Sequence, residues 1–374
     1  MMSQTTKKNN FSPRLPGLDG LRAIAVLFVI ITHYKSIIFP SNPIANIIFG
    51  NAGTLGVDIF FELSGFLITY LILKEEKKAG KFSITNFFVR RFARILPPAY
   101  LYIVAIIFAG YIGICPVSLQ EILSCMLFVR NYFTGGGSWE MAHFWTLAIE
   151  EQFYLIWPII LIFIKKAKIR LYVALFLVSI APFWRYIFYK QYGLSASTFA
   201  RTDWRYDALL MGCILAILLN NKRIKSVLTS QKFCKGIYAS SAWLIIVLIW
   251  FPWVDNLPGL TYSFVNFCLR PIVIHLCILY FINFIVHSPN SLWDLFLESP
   301  PFVFVGRLSY SIYLWQQFFC YSPEYGMKLY WFRLLPQSLI FTMIAAMLSF
   351  YLVEKPFLQL RDKFRNKLLI KDQP

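Results

Sequence analysis

The sequence predicts an all-α protein of the polytopic membrane class, a transmembrane helical bundle of about ten spans with both termini cytoplasmic. Hydrophobic residues make up 58% of the 374 residues and charged residues only 14%, whereas soluble chains carry about 25% charged residues. Apolar runs long enough to cross a bilayer, at about 20 residues each, recur from one end of the chain to the other. Basic residues are concentrated in every second connection between these runs.

The predicted spans follow one another with short connections. They cover residues 21–39, 57–73, 95–113, 145–164, 171–188, 205–219, 237–253, 262–285, 303–321 and 334–353. Residues 1–17 are polar and are expected to form a disordered cytoplasmic N-terminus, residues 18–356 the transmembrane domain, and residues 357–374 a basic cytoplasmic tail. Residues 74–94 are expected to form a basic connection, as a loop or a short amphipathic helix, that Pro97 and Pro98 close.

The distribution of positive charge sets the predicted orientation. Of the 36 Lys and Arg residues, 25 lie in the termini and in the second, fourth and sixth connections, and five lie in the other connections. This bias is the positive-inside pattern of membrane proteins. It accounts for the net charge of +18 without a nucleic-acid partner, so we exclude nucleic-acid binding. The four histidines are isolated and no CxxC occurs, so no metal site is expected.

Ionisable groups inside spans are functional candidates because a charge at the centre of a membrane helix costs about 2.5–3.5 kcal/mol. In the first span, Arg22 and His33 are eleven residues apart. That spacing puts them on one helix face, about 16 Å apart along the axis. It suits an arginine that binds phosphate at one mouth and a histidine that handles a proton at depth. The alternative is a snorkelling arginine and a histidine bonded to a neighbouring helix.

Three more groups of polar residues stand out. Asp58 and Glu62 are one turn apart in the second span, which implies a cavity, a buried partner or protonation. Glu150 and Glu151 are adjacent in the fourth span, and because adjacent helical residues point about 100° apart, only one of them should face a given site. The remaining groups are arginines and aspartates near span ends, for which membrane-surface charge or a local ion-pair network is the alternative role: Arg90, Arg91, Arg94, Arg201, Asp203, Arg205, Asp207 and Arg307.

Taken together, these segments resemble the acyltransferase-3 family of membrane-bound, acyl-CoA-dependent O-acyltransferases. The matching segments begin with LDGLRAIAVLFVIITHY, GVDIFFELSGFLIT and RRFARILPPAYL, continue with HFWTLAIEEQFYLIWP, RYDALLMGCILA and VGRLSYSIYLWQQ, and end with VEKPF. The resemblance implies that Arg22 and His33 form the family's arginine–histidine motif and that Arg91 and Arg94 contact coenzyme A. This sequence has Gln316 and Gln317 after Leu314-Trp315, where many members have a histidine.

The resemblance implies transfer of an acyl group, usually acetyl, from acyl-CoA to a hydroxyl of a cell-surface glycan at the bacterial inner membrane. The acceptor expected is lipopolysaccharide O-antigen, capsule or exopolysaccharide, with peptidoglycan or another glycoside as the alternative. Acyl-CoA acts as a donor substrate, no permanently bound cofactor is expected, and the other partners are the lipid-linked or surface glycan and membrane lipids. A transporter or flippase of lipid-linked sugars is the competing class, since buried charges would line its path.

In the expected mechanism, His33 is the general base toward the sugar hydroxyl, because an ordinary histidine pKa of about 6.5 allows proton exchange near neutrality. Glu150 or Asp58 orients the imidazole, and a covalent acyl-histidine relay is the alternative. Arg91, Arg94 and Arg22 hold the phosphates of the donor through guanidinium forks. Four further residues are expected to contribute to substrate binding: Glu151, Arg205, Asp207 and Arg307.

Overall fold

The structure is a computed structural model that describes residues 15–38, 52–133, 137–193, 199–250, 259–320 and 330–371. Within these ranges all regular secondary structure is helical, as the sequence predicts. The first eight helices are α1 Leu18–Ile38, α2 Ala52–Ala79, α3 Ile84–Tyr111, α4 Leu119–Met126, α5 Trp139–Ala142, α6 Phe144–Phe163, α7 Ala167–Tyr192 and α8 Thr202–Asn220. Then come α9 Lys222–Leu228, α10 Gly236–Trp250, α11 Gly259–Phe264, α12 Arg270–His287, α13 Leu292–Leu297, α14 Pro300–Phe319, α15 Gln337–Ser349 and α16 Lys355–Lys371.

Within the described residues, the predicted spans coincide with these helices, except that 262–285 covers α11, a π-helical turn and α12, and 334–353 runs from α15 into a π-helical turn. Six helical segments among the described residues are long and apolar enough to cross a membrane, which identifies a multi-pass membrane protein. The count of ten spans and the side on which the termini lie stay predictions. Residues 1–14 of the predicted N-terminal segment lie outside the described residues. The predicted basic tail is helical as far as Lys371, within α16.

The basic connection between the second and third spans is shorter than predicted. Helix α2 continues to Ala79 and α3 begins at Ile84, so most of residues 74–94 extend the two flanking helices. The Ser83 hydroxyl accepts a hydrogen bond from the Asn86 N–H and caps α3. Pro97 and Pro98 do not close the connection as predicted, because both lie inside α3.

Helix α2 lies at the centre of the bundle and packs against α1 and α8, while α1 also packs against α14. Two glycines allow the approach of α2 and α8. A Cβ atom at Gly65 would collide with the backbone carbonyl of Leu209, and one at Gly212 would collide with the carbonyl of Glu62. Small residues at such contacts let membrane helices pack closely. The tight contact fixes the face of α2 that carries Asp58 and Glu62 toward α8.

We expect Gly65→Ala to destabilise the protein by about 1–3 kcal/mol, because the added methyl group overpacks a backbone contact that cannot yield. Thermal unfolding of the detergent-solubilised protein measures the effect. The matched control is Gly110→Ala, where the added Cβ would meet its neighbours at 3.5–3.7 Å, an ordinary contact distance. Equal melting temperatures for the two variants would show that the α2–α8 contact is looser than described.

Candidate functional site

The sequence places the two residues of the first motif at opposite ends of α1. Arg22 lies in its second turn and forms an ion pair with Asp19 at 3.3 Å. Arg307 lies at the same end, where its guanidinium is 3.9 Å from Asp19, and its side chain is 58% exposed. We call this end of the bundle, defined by Arg22, Arg91 and Arg94, the arginine end. His33 lies toward the opposite end, eleven residues further along the helix.

A cavity enters the bundle from the arginine end, and we call it the arginine cavity. It encloses about 720 Å³, including its open mouth, and Arg22, Arg91, Arg94 and Glu150 all line it. Its wall on α2 runs from Leu67 back to Val57, which corresponds to about 15 Å at 1.5 Å per residue. The structure therefore brings four of the sequence-predicted residues, from α1, α3 and α6, to one elongated space.

The arginines in this cavity differ from their neighbour Arg90. Arg90 forms an ion pair with Glu75 at 2.9 Å. Among the described residues, neither Arg91 nor Arg94 has a carboxylate within ion-pair distance. Arg91 instead lies over the Tyr154 ring, with 5.0 Å between the guanidinium carbon and the ring centroid. Two guanidinium groups without a close carboxylate, facing a cavity, are suited to bind phosphate in a bidentate fork.

The two adjacent carboxylates of α6 have different surroundings. Glu150 lines the arginine cavity and accepts a hydrogen bond from the Ser64 hydroxyl at 2.7 Å. Glu151 is 6% exposed and is not among the residues that line this cavity. This separation follows from the 100° turn between adjacent helical residues. Ser64 of α2 is thus the hydrogen-bond partner of the cavity carboxylate.

The inner end of the arginine cavity lies one turn of α14 away from Gln316, the residue that contacts His33. Tyr313 on α14 lines the cavity, and its hydroxyl is 2.7 Å from the Thr146 hydroxyl. One turn further along the same helix, the Gln316 amide oxygen is 2.8 Å from His33 Nδ1. An amide oxygen only accepts, so Nδ1 carries the proton and Nε2 is the ring nitrogen that can accept one. Gln316 therefore holds the His33 ring through Nδ1.

The short helix α5 covers the other side of the His33 ring. Trp139 meets His33 edge to face, with ring centroids 5.0 Å apart. Its carbonyl accepts a hydrogen bond from the Gln317 amide at 2.6 Å. The next residue, Glu140, forms a buried ion pair with Arg333 at 2.7 Å. The two glutamines of α14 therefore both act on the surroundings of His33, Gln316 through the imidazole itself and Gln317 through α5.

A glutamate of α4 fixes the residue that precedes α5. The Glu121 carboxylate accepts a hydrogen bond from the Ser138 N–H at 3.1 Å and pairs with Arg130 at 3.2 Å. Burial raises the pKa of this carboxyl, while the Ser138 N–H and the Arg130 charge act in the opposite direction.

The remaining predicted residues form a separate cluster on the other face of α2. Asp58 accepts a hydrogen bond from Arg205 at 2.8 Å. Asp207 pairs with Arg185 and is 3.6 Å from His275 Nε2. The structure therefore does not bring Asp58 beside His33, the position that its proposed role in orienting the imidazole requires.

The partner of Glu62 is His275, whose Nδ1 is 2.8 Å from its carboxylate. Glu62 is fully buried. The sequence alone does not identify the partners of Arg185, His275 and Glu62, since these pairs join α2, α7, α8 and α12. Among the described residues, no group of three His, Cys, Asp or Glu side chains could hold a metal ion.

A multi-pass helical bundle with an arginine-lined cavity that ends near a partly buried histidine defines a membrane protein whose cavity is suited to an anionic ligand. Residues 15–354 match the model of the acyltransferase domain, and the chain belongs to this acyltransferase-3 family.

Curated relatives support the assignment. The chain is 32% identical to YrhL of Bacillus subtilis (strain 168), provisionally named a peptidoglycan O-acetyltransferase, over 91% of this chain and 54% of the relative. It is 30% identical to the O-acetyltransferase OatA of Staphylococcus aureus (strain NCTC 8325 / PS 47), over 82% of this chain and 50% of the relative. The chain thus spans about half the length of the curated relatives it matches. No solved structure matches it.

Proposed function

We propose that this protein is an O-acetyltransferase that takes the acyl group from acyl-CoA at the cytoplasmic face and transfers it to a hydroxyl of a cell-surface glycan. The observation that carries the proposal is the arginine cavity. Arg91 and Arg94 face it with no carboxylate in ion-pair distance among the described residues, and it extends to within one helical turn of the glutamine that holds His33. A donor with phosphates at one end and a reactive acyl group at the other fits such a space.

The charge bias of the sequence favours the arginine end as the cytoplasmic one, where acyl-CoA is made. In this arrangement the donor phosphates contact Arg91, Arg94 and Arg22, and the acyl group lies toward Tyr313 and His33. His33 takes the proton of the acceptor hydroxyl on Nε2 as the oxygen attacks the thioester carbonyl. The proton then passes to the departing coenzyme A thiolate, so that the products are the ester and the free thiol.

Peptidoglycan stands first among the acceptors, because one relative carries that substrate in its name. Lipopolysaccharide O-antigen, capsule and exopolysaccharide are the other candidates. Deleting the gene and measuring ester-linked acetate by NMR on purified peptidoglycan and on purified surface polysaccharide distinguishes these acceptors. We expect acetate to be lost from the peptidoglycan fraction. Loss from the polysaccharide fraction alone would move the acceptor assignment there.

The reaction itself is tested on the purified full chain in proteoliposomes. Labelled acetyl-CoA is added on the side of the membrane that the arginine end faces, and chitotetraose is the acceptor. We expect label to appear in the sugar as an alkali-labile ester, together with one free coenzyme A thiol per ester. A transporter or flippase of lipid-linked sugars would leave the thioester intact. An unchanged thioester in the presence of acceptor glycans of each class would overturn the proposed function.

A further inference from the structure

A second cavity lies on the far side of α2 from the arginine cavity, toward the opposite end of the bundle. It encloses about 1070 Å³, including its mouth. Its wall includes Thr54 in the first turn of α2 and Arg205 in the first turn of α8, together with residues of α7, α11 and α12. Between α11 and α12 the chain forms a π-helical turn, Val265–Leu269, which places Asn266 and Phe267 in the wall. Such π-helical turns occur frequently at functional sites.

The charged groups of the second cavity are fixed by one another. Asp58 pairs with Arg205, Asp207 pairs with Arg185, and His275 pairs with Glu62. Because the pairs join four different helices, their side chains are held in place before any ligand arrives. Rigid, preorganised polar groups of this kind are what a binding site requires.

Three polar atoms in this wall remain without a hydrogen-bond partner among the described residues. They are Asp207 Oδ1, Arg205 Nε and Asn266 Nδ2. Asp207 is 3% exposed and Arg205 is 9% exposed, and a buried polar atom normally has a partner. The two nitrogens are donors and the carboxylate oxygen is an acceptor, so an occupant that pairs with all three both accepts and donates hydrogen bonds.

The same wall carries aromatic rings between these polar atoms. Phe199 lies 4.4 Å from the Arg205 guanidinium carbon, and Trp204 meets Phe267 edge to face with centroids 5.7 Å apart. A sugar ring matches this combination, because its C–H faces pack on aromatic rings and each of its hydroxyls both donates and accepts. A phosphate or carboxylate only accepts, so it could pair with the two nitrogens but would leave the Asp207 oxygen without a partner.

The first turn of α2 connects the second cavity to the part of α1 that carries His33. The Gly53 N–H donates a hydrogen bond to the Thr32 hydroxyl at 2.6 Å. Thr54, the next residue of α2, lines the second cavity, and Thr32 directly precedes His33 on α1. A ligand in this cavity therefore lies across the first turn of α2 from the proposed base.

We propose that the second cavity binds a sugar unit of the acceptor glycan, with Asn266 and Asp207 as hydrogen-bonding residues and Phe199 as the ring that packs on the sugar. The inference rests on the proposed function, since it names the acceptor site of that reaction. The donor phosphates and this sugar unit then bind in different cavities, and the reacting hydroxyl belongs to the part of the glycan that reaches His33.

Two variants test this site without breaking its ion pairs. Asn266→Asp keeps the size of the side chain and removes the Nδ2 donor, and Phe199→Leu removes the aromatic face. We expect each to raise the KM for chitotetraose about tenfold, the effect of losing one contact to a buried group, with the KM for acetyl-CoA and kcat within twofold of wild type. Phe176→Leu on the exposed face of α7 is the matched control, and its KM values are expected to be unchanged.

Direct binding separates failure of this inference from failure of the proposed function. Saturation-transfer NMR of chitotetraose with the full chain in nanodiscs needs no turnover. We expect a signal with wild type and Phe176→Leu that is reduced in Asn266→Asp and Phe199→Leu. If acetyl transfer is never observed but this binding pattern is, the sugar site is supported and the assignment of acyl-CoA as the donor is refuted. Equal binding by all four proteins, or no binding by wild type, would overturn the inference.

Discussion

In the His33→Asn and His33→Ala variants, acyl transfer to the glycan is expected to fall to at most a few per cent of the wild-type rate, since general-base catalysis contributes about 10²–10⁴-fold. Asparagine keeps a polar side chain but accepts no proton near neutral pH. The hydrogen bond from His33 Nδ1 to Gln316 leaves Nε2 as the proton acceptor. The initial rate of ester formation on the glycan, at saturating donor and acceptor, measures the effect.

Expression, melting temperature and acyl-CoA affinity of these variants should stay close to wild type, because His33 is only partly buried and is not among the residues that line the arginine cavity. If His33 only joined α1 to α14 through Gln316, the Asn variant would retain far more activity than the Ala variant. A well-folded His33→Asn protein with substantial activity would therefore refute the base assignment. Glu150 would then be the next candidate, since it lines the same cavity.

The positions of the helices follow largely from the sequence, because an apolar run long enough to cross a membrane is helical whatever its neighbours do. Part of the site can also be predicted from the sequence, where it depends on the geometry of a single helix. The spacing of Arg22 and His33 along α1 is a property of a single helix, and so is the separation of Glu150 from Glu151. Arg91 and Arg94 are three residues apart, and one helix carries both to the same cavity.

Contacts between helices far apart in the chain could not be predicted in this way. Glu62 and His275 are 213 residues apart, and His33 and Gln316 are 283 apart. No local pattern encodes such a pair, because it depends on how α2, α12, α1 and α14 pack. The bounds of the connection at 74–94 could not be predicted for a different reason. Proline usually ends a helix in water, but neighbouring helices can satisfy the freed backbone groups of a membrane helix such as α3.

The double variant Arg91→Ala/Arg94→Ala is expected to weaken acyl-CoA binding by at least about tenfold, since each hydrogen bond to a charged group contributes roughly 1.5–3 kcal/mol. These two arginines face the cavity without a carboxylate in ion-pair distance among the described residues, so their charge is available to a ligand. Lysine at both positions should recover only part of the affinity, because a single ammonium cannot reproduce the bidentate fork. Isothermal titration of acetyl-CoA into the full chain in nanodiscs gives the Kd.

The neighbouring Arg90 supplies the control for this measurement. Arg90 lies on the same helix and carries the same charge, but it already forms an ion pair with Glu75 at 2.9 Å. Both side chains of this pair are partly exposed. Such a partly exposed pair contributes at most about 1 kcal/mol to stability, so Arg90→Ala should fold and bind acetyl-CoA as wild type does. If Arg90→Ala and the double variant weakened binding equally, the effect would come from the general positive charge of this end. If neither changed the Kd, Arg91 and Arg94 would serve only membrane orientation, and the donor would have to bind elsewhere.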